Sequence, residues 1–216
     1  CTDTASVIIQ EPAAALTFSQ VVLQPTCLSD GAIQLSATDG WGGYTFTLTY
    51  PDGTTTNTNT TGQFNGLSQT GTYAASVSDA NGCVDNVTID LLPVVPPVLE
   101  VTANDICYDD ATGLTLTAAI TSGGDGNFLY RLNGGAYSAS NVFTGLGPGT
   151  YTVDVIDGKD CSDSVTITVD PELTVTATAD PITACGTSTD VTITAAGGDG
   201  AYVYALVSDG TTPLAG

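Results

Sequence analysis

Six cysteines and a scatter of aspartates are the residues of this 216-residue chain whose side chains could do chemistry. The cysteines fall into two contexts. Cys27, Cys107 and Cys185 each precede an alternating apolar segment and recur at intervals of 80 and 78 residues. Cys1, Cys83 and Cys161 each open another such segment, at intervals of 82 and 78 residues. Such regularity marks an internal repeat, to be examined before any single motif. Zinc is disfavoured, because ligand-spaced Cys pairs and all histidines are missing. Disulfide bonds or free thiols are what remains.

The aspartates offer a second chemistry. Asp39, Asp79 and Asp85 sit in loops expected to share one end of a repeat, as do Asp125, Asp157, Asp160 and Asp163. Oxygen ligands gathered in loops suit a hard cation, so Ca²⁺ is the candidate cofactor. The plainer reading is that Asp favours turns through side-chain to backbone hydrogen bonds. Trp41, the only tryptophan, lies in a glycine-flanked loop. There it could stack on a sugar or a neighbouring subunit, or simply pack on its own domain.

These residues need a frame, and the repeat supplies it. GLSQTGTYAASVSDANGC, ending at Cys83, matches GLGPGTYTVDVIDGKDC, ending at Cys161, so that Tyr73 and Tyr151 are equivalent. After the cysteines, TDTASVIIQEP, VDNVTIDLLP and SDSVTITVDP align with a two-residue apolar period, the mark of a strand. One repeat then reads as strand A (Leu99, Val101, Ala103 inward), B (Leu114, Leu116, Ala118) and C (Phe128, Tyr130, Leu132). A short C′ at 136–140 follows, then E (Val142, Phe143), F (Tyr151, Val153, Val155) and G (Val165, Ile167, Val169). Seven strands in this order make an immunoglobulin-like Greek-key sandwich. The stretches before Tyr73 and Tyr151 look like tyrosine corners, and Asn81-Gly82 and Asp157-Gly158 suit the tight turn between F and G.

The expected organisation is therefore all-β: tandem sandwiches in a head-to-tail array. Residues 1–11 are the last strand of a preceding repeat, 12–95 and 96–171 are complete repeats, and 172–216 hold the first strands, A to C, of another. The chain reads as a window cut from a longer array. The proline-rich 91–101 stretch, LLPVVPPVLEV, favours an extended, semi-rigid connection.

Composition agrees. Two basic against 23 acidic residues give a net charge of −21, whose field repels nucleic acid and anionic lipid head groups. Hydrophobic residues at 42% argue for a folded core rather than disorder. Glu occurs only at 11, 100 and 172 and Met is absent, while Thr, Val, Tyr and Gly abound, the composition of short strands and tight turns. No stretch approaches the roughly 20 apolar residues of a membrane span, so direct membrane insertion is not expected. The first residues lack a signal-peptide pattern, as in an already processed or excised chain.

GGDGNFLY, GLGPGTYTVDVIDGKDC and TVDP resemble the SprB repeat of Bacteroidota gliding adhesins, and the resemblance runs through the whole chain. Trp41-Gly-Gly-Tyr and Lys159 depart slightly from the usual spelling. The resemblance implies a large extracellular, cell-surface filament exported by the type IX system and used in adhesion or gliding motility. Its partners would be neighbouring repeats of the same protein, other copies in a homo-oligomeric filament, and surface glycans or other cells. Asp3-Thr4-Ala5 and Asp163-Ser164-Val165 are similar to the O-glycosylation site of these bacteria, which makes Thr4 and Ser164 candidate glycan carriers; small hydroxyl residues also simply suit an exposed strand face.

In an exported protein the cysteines meet no reducing pool, and disulfides are expected. Pairing within a repeat (Cys27 with Cys83, Cys107 with Cys161) would place the two cysteines at opposite ends of a sandwich roughly 20 Å long, whereas a disulfide needs Cα atoms within about 7 Å. The expected bond is Cys27 to Cys161, across a repeat junction. Cys1, Cys83, Cys107 and Cys185 would then pair with repeats outside this window. Intradomain bonds and reduced thiols remain the alternatives.

No enzyme is expected. Histidine triads, metallohydrolase motifs and phosphate-cradling loops lack their residues. The Asp residues recur at equivalent turn positions, which favours architecture over a catalytic carboxylate pair. The leading reading is a structural repeat segment of an adhesin or appendage filament. The alternative is a carbohydrate-binding or accessory module of a large exported enzyme. A third arrangement would have the 1–10 segment complete the sheet of another subunit by donor-strand exchange.

Overall fold

A computed structural model of the chain describes residues 1, 3–104, 108, 113–181, 184–185, 189–205, 207–208 and 212–213. Every regular element among them is a strand, and every strand pairing is antiparallel. The chain is all-β. It divides into two compact units, each described by itself.

The first unit comprises Cys1–Pro96 together with Gly123–Asn127 and Asp157–Cys161. Its strands are β1 (Thr17–Leu23), β2 (Gly31–Thr38), β3 (Thr45–Thr49), β4 (Thr56–Asn59), β5 (Gln63–Leu67), β6 (Gly71–Ser78) and β7 (Val84–Leu91). They form a three-stranded sheet ordered β1-β2-β5 and a four-stranded sheet ordered β4-β3-β6-β7. Alternation fixes which side chains turn inward: Ile33 and Leu35 from β2, Phe46 and Leu48 from β3, Tyr73, Ala75 and Val77 from β6, Ile89 and Leu91 from β7. With Phe64 and Leu67 they close one core between the two sheets.

The second unit comprises Pro97–Ser122, Phe128–Ile156 and Ser162–Gly216. It contains β8 (Val98–Ala103), β9 (Leu114–Ser122), β10 (Leu129–Leu132), β11 (Val142–Leu146), β12 (Gly149–Ile156) and β13 (Ser162–Val169), in sheets ordered β11-β9-β8 and β10-β12-β13. Leu99, Leu114, Leu116, Ala118, Tyr130, Val153, Val155 and Val169 form its core. Beyond these lie the pair β14 (Thr174–Ala179) and β15 (Val191–Ala196) and the short pair β16 (Val207–Ser208) and β17 (Thr212–Pro213).

Three expected strands are absent. Residues 3–11 form no strand, and Val7, Ile8 and Ile9 are each at least 85% exposed. The equivalent β7 and β13 exist because β6 and β12 supply their ladders, and no such partner lies beside 3–11 among the described residues. In the second sandwich C′ shrinks to one bridge, Tyr130 to Ser138, so that repeat has six strands rather than seven. The physical reason is length: nine residues separate β10 from β11, whereas thirteen separate β3 from β5 and leave room for β4. The third expected strand C, at 201–205, is also not formed. In both sandwiches C pairs with F (β3 with β6, β10 with β12), and β14 and β15 are followed by no described equivalent of F.

Both tyrosine corners are present. Tyr73 donates its phenol hydrogen to the Gln69 carbonyl (2.7 Å) and Tyr151 to that of Gly147 (2.8 Å), each four residues upstream. Desolvation raises the Tyr73 pKa, so the phenol stays a donor. A second recurring tie lies where the chain enters each first strand. The amides of Gly40, Gly124 and Gly198 donate to the carbonyls of Ala14, Val95 and Pro171. At Gly123 and Gly197 a Cβ would run into the carbonyl oxygens of Pro96 and Glu172, so glycine is required for this close approach.

Candidate functional site

Cys27 and Cys161 are joined by a disulfide, with Cα atoms 5.0 Å apart at a sequence separation of 134. Both belong to the first compact unit. Cys161 is fully buried, while the Cys27 backbone lies in an exposed bend.

Each half of the bond is held by its own local structure. Before Cys27, the Gln24 side chain grips the end of β7 at two points, donating from Nε2 to the Asp90 carbonyl (2.9 Å) and accepting the Leu92 amide on Oε1 (2.8 Å). Thr26 then folds the bend: its Oγ1 accepts the Leu28 and Ser29 amides, and its own amide donates to the Ser29 carbonyl. The Cys27 amide completes the attachment, donating to the Lys159 carbonyl at 3.0 Å.

On the other side, Asp157 organises the turn between β12 and β13. Its Oδ1 accepts the amides of Lys159 and Cys161 (both 2.9 Å) and its Oδ2 that of Asp125 (3.2 Å). Its backbone amide donates to the Cys161 carbonyl at 2.9 Å. Asp125 braces the turn in return, accepting from Gly158 (3.0 Å) and Asn127 (3.0 Å). The Asn127 bond, with smaller help from Gly158, depresses the Asp125 pKa.

The turn between β6 and β7 repeats the bonds that Asp157 makes. Asp79 Oδ1 accepts Asn81 (3.0 Å) and Cys83 (2.9 Å), Oδ2 accepts Trp41 (3.0 Å), and the Asp79 amide donates to the Cys83 carbonyl (3.0 Å). Positive φ falls at the same place in each turn, at Gly82 (85°) and Asp160 (58°). Desolvation of Asp79 works against its charge, but the amides of Trp41, Cys83 and Asn81 outweigh it and lower the pKa. The turns differ in two respects: the Ala80 amide donates to the Gly42 carbonyl (2.8 Å) where Gly158 donates to the Asp125 carboxylate, and Cys83 is a free, exposed thiol.

The other predicted residues take these places. Cys1 and Cys185 are free and exposed; Cys107 lies outside the described residues. The aspartates singled out for calcium instead serve turns and strand entries. Asp85 accepts the Asn86 amide, Asp163 those of Leu99 and Ser164, and Asp39 accepts the Thr38 hydroxyl on its carboxylate (3.4 Å) and the Tyr44 hydroxyl on its carbonyl (2.7 Å), while the Asp160 amide donates to the Asp157 carbonyl. Among the described residues no three Asp, Glu, His or Cys side chains gather to hold a metal ion. The carboxylates of Asp79, Asp125 and Asp157 already accept backbone amides. Thr4 is exposed. Ser164 is exposed too, but its hydroxyl donates to Asp154 at 2.7 Å, a bond that, ahead of the Arg131 ion pair, lowers the Asp154 pKa. Trp41 is half-buried and enters the turn network through its backbone.

Sequence reasoning passed over Gln24, Thr26 and the Asp157 carboxylate as the parts that hold the disulfide. The Asp-x-x-x-Cys spacing shared by DANGC and DGKDC was the available signal for the third.

No family model and no curated protein matches the chain. Among solved structures it is similar to the C-terminal 282-residue fragment of intimin, solved in complex with the intimin-binding domain of the translocated intimin receptor. The two are 15% identical, with a TM-score of 0.41, over 76% of this chain and 67% of that one.

Proposed function

We propose that this chain is a structural repeat segment of an extracellular bacterial adhesin or appendage filament, built of tandem immunoglobulin-like Greek-key repeats of the SprB type. It acts by mechanical reach, on the cell surface, in attachment or gliding, and carries no catalytic site. The observation that carries this reading is the Cys27–Cys161 disulfide. It joins the cysteine ahead of one repeat's second strand to the cysteine that closes the next repeat's last hairpin. A bond of that kind takes the intervening chain out of the load path. Its equivalents at every junction would make a tension-bearing rod. The acidic surface, at a net charge of −21, keeps such filaments apart in solution.

Single-molecule extension from the two ends tests this. With the disulfide intact, the chain between Cys27 and Cys161, a sequence separation of 134, does not lengthen under load. Added reductant should release roughly 450 Å of further contour length, at about 3.3–3.6 Å per residue. Equal lengths with and without reductant would refute the load-bearing role.

A further inference from the structure

On the outer face of the second sandwich one row of side chains runs across the β10-β12-β13 sheet in register. Arg131, the only arginine in the chain, lies opposite Asp154, and Asp154 lies opposite Ser164. The antiparallel bridge between Tyr130 and Ser138 sets Tyr137 opposite Arg131 on its other side. In the first sandwich the same four positions, in the order Tyr137, Arg131, Asp154, Ser164, hold Thr58, Thr47, Ser76 and Asn86. That sheet forms with neither charge nor an aromatic ring in the row, so the frame does not require them.

Each member of the row is held, yet each keeps bonding capacity to spare. Arg131 Nε donates to Asp154 Oδ2 at 2.7 Å, and its guanidinium carbon stands 4.6 Å from the centroid of the Tyr137 ring, so the planar group is fixed along one edge and over one face. Its two terminal nitrogens make no hydrogen bond among the described residues. Asp154 accepts the Ser164 hydroxyl on Oδ1 at 2.7 Å, which leaves each carboxylate oxygen with one bond where it has room for about two. The Tyr137 and Ser162 hydroxyls are likewise uncommitted among the described residues. These groups, with Asp163, line an open hollow of about 300 Å³, at the low end of the range for small-molecule sites.

We propose that this row is a binding site for a neutral saccharide. The inference deepens the attachment reading by naming a ligand class for it, and rests on that reading. Sugar hydroxyls both donate and accept, so adjacent hydroxyls of one ring can accept from the terminal nitrogens of Arg131 and donate to Asp154 at the same time. An anion approaching the hollow meets Asp154 and Asp163 on a chain of net charge −21, where the one guanidinium is already paired. A cation meets that guanidinium. A polar, uncharged ligand rich in hydroxyls suffers neither repulsion.

The test is NMR titration of the whole chain with the methyl glycosides of glucose, galactose, mannose and N-acetylglucosamine, with methyl glucuronide as the anionic probe. At least one neutral glycoside should shift the Arg131 Nε–H and Tyr137 ring signals saturably. Arg131→Thr and Asp154→Ser should each weaken that binding about tenfold or more, the loss expected for hydrogen bonds to charged groups. Each variant carries the residue that the first sandwich holds at the same place, and an unchanged circular dichroism spectrum identifies it as folded. The proposal is overturned if no neutral glycoside moves the Arg131 signal even at hundreds of millimolar, if the glucuronide binds more tightly than every neutral glycoside, or if both folded variants bind as the parent does. Those outcomes leave the filament reading standing, whereas extension lengths unchanged by reductant would sink that reading whatever the titration shows.

Discussion

Asp157 and Cys161 are bound to each other twice: the Asp157 carboxylate accepts the Cys161 amide and the Asp157 amide donates to the Cys161 carbonyl, each at 2.9 Å. This closes a rigid five-residue turn and fixes the direction in which the Cys161 sulfur leaves the backbone. On the other side, Gln24 ties the chain ahead of Cys27 to the end of β7, and Thr26 folds the bend around it. The disulfide is therefore made between two pre-set anchors rather than between loose loops.

Removing the disulfide should cost much of the stability. Closing a loop over a separation of 134 residues contributes about 5 kcal/mol in the chain-entropy account, against a typical total of roughly 5–15 kcal/mol for a domain. Denaturant unfolding of Cys27→Ala/Cys161→Ala should show a loss of that order. Cys83→Ser, at an exposed free thiol, should stay within about 0.5 kcal/mol of the parent.

Gly123→Ala should destabilise more than Gly113→Ala. Both glycines have positive φ (72° and 68°), a conformation costing an L-residue about 1–2 kcal/mol. Only at Gly123 does the new Cβ also meet backbone, the Pro96 carbonyl; around Gly113 there is open space. Equal shifts in melting temperature would mean that the close approach at Gly123 has no structural consequence.

Tyr73→Phe removes one hydroxyl and leaves the Gln69 carbonyl without its donor, while the buried ring remains. The expected loss is about 1 kcal/mol, and Tyr151→Phe should lose a similar amount through Gly147. Thermal unfolding of the two variants gives the comparison.

Asp79 supplies a pH signature. Its folded pKa lies below the ordinary carboxylate value of 3.8, so its contribution is fully present above that value and is lost as pH falls through the depressed folded pKa. The melting-temperature advantage of the parent over Asp79→Asn should be constant from pH 7 to about pH 5 and shrink below about pH 4. Taking the difference between the two proteins cancels the general relief of charge repulsion on acidification. An advantage that grows as the pH falls would contradict the turn-bracing role.

The sequence made the cores readable wherever a strand alternates cleanly: Leu114, Leu116 and Ala118 are buried as their two-residue period requires. Tyr73 and Tyr151 were legible because a phenol at a fixed place in a repeated motif has few uses besides a corner bond. Strand direction, taken with head-to-tail order of the repeats, set Cys27 opposite Cys161. Loop length decided C′ through a four-residue difference that periodicity does not register. Nor does anything in the identity of Gln24 announce that it clamps β7, because a two-point amide grip depends on where the backbone of another strand ends.

The central claim is that Cys27 and Cys161 are partners, and a non-reducing peptide map by mass spectrometry tests it most directly. A disulfide-linked pair of peptides containing Cys27 and Cys161, with Cys83 recovered as an alkylatable thiol in the monomer, is the predicted result. Recovery of Cys27 linked to Cys83 would contradict the account, leaving each repeat closed on itself and no covalent tie from one repeat to the next.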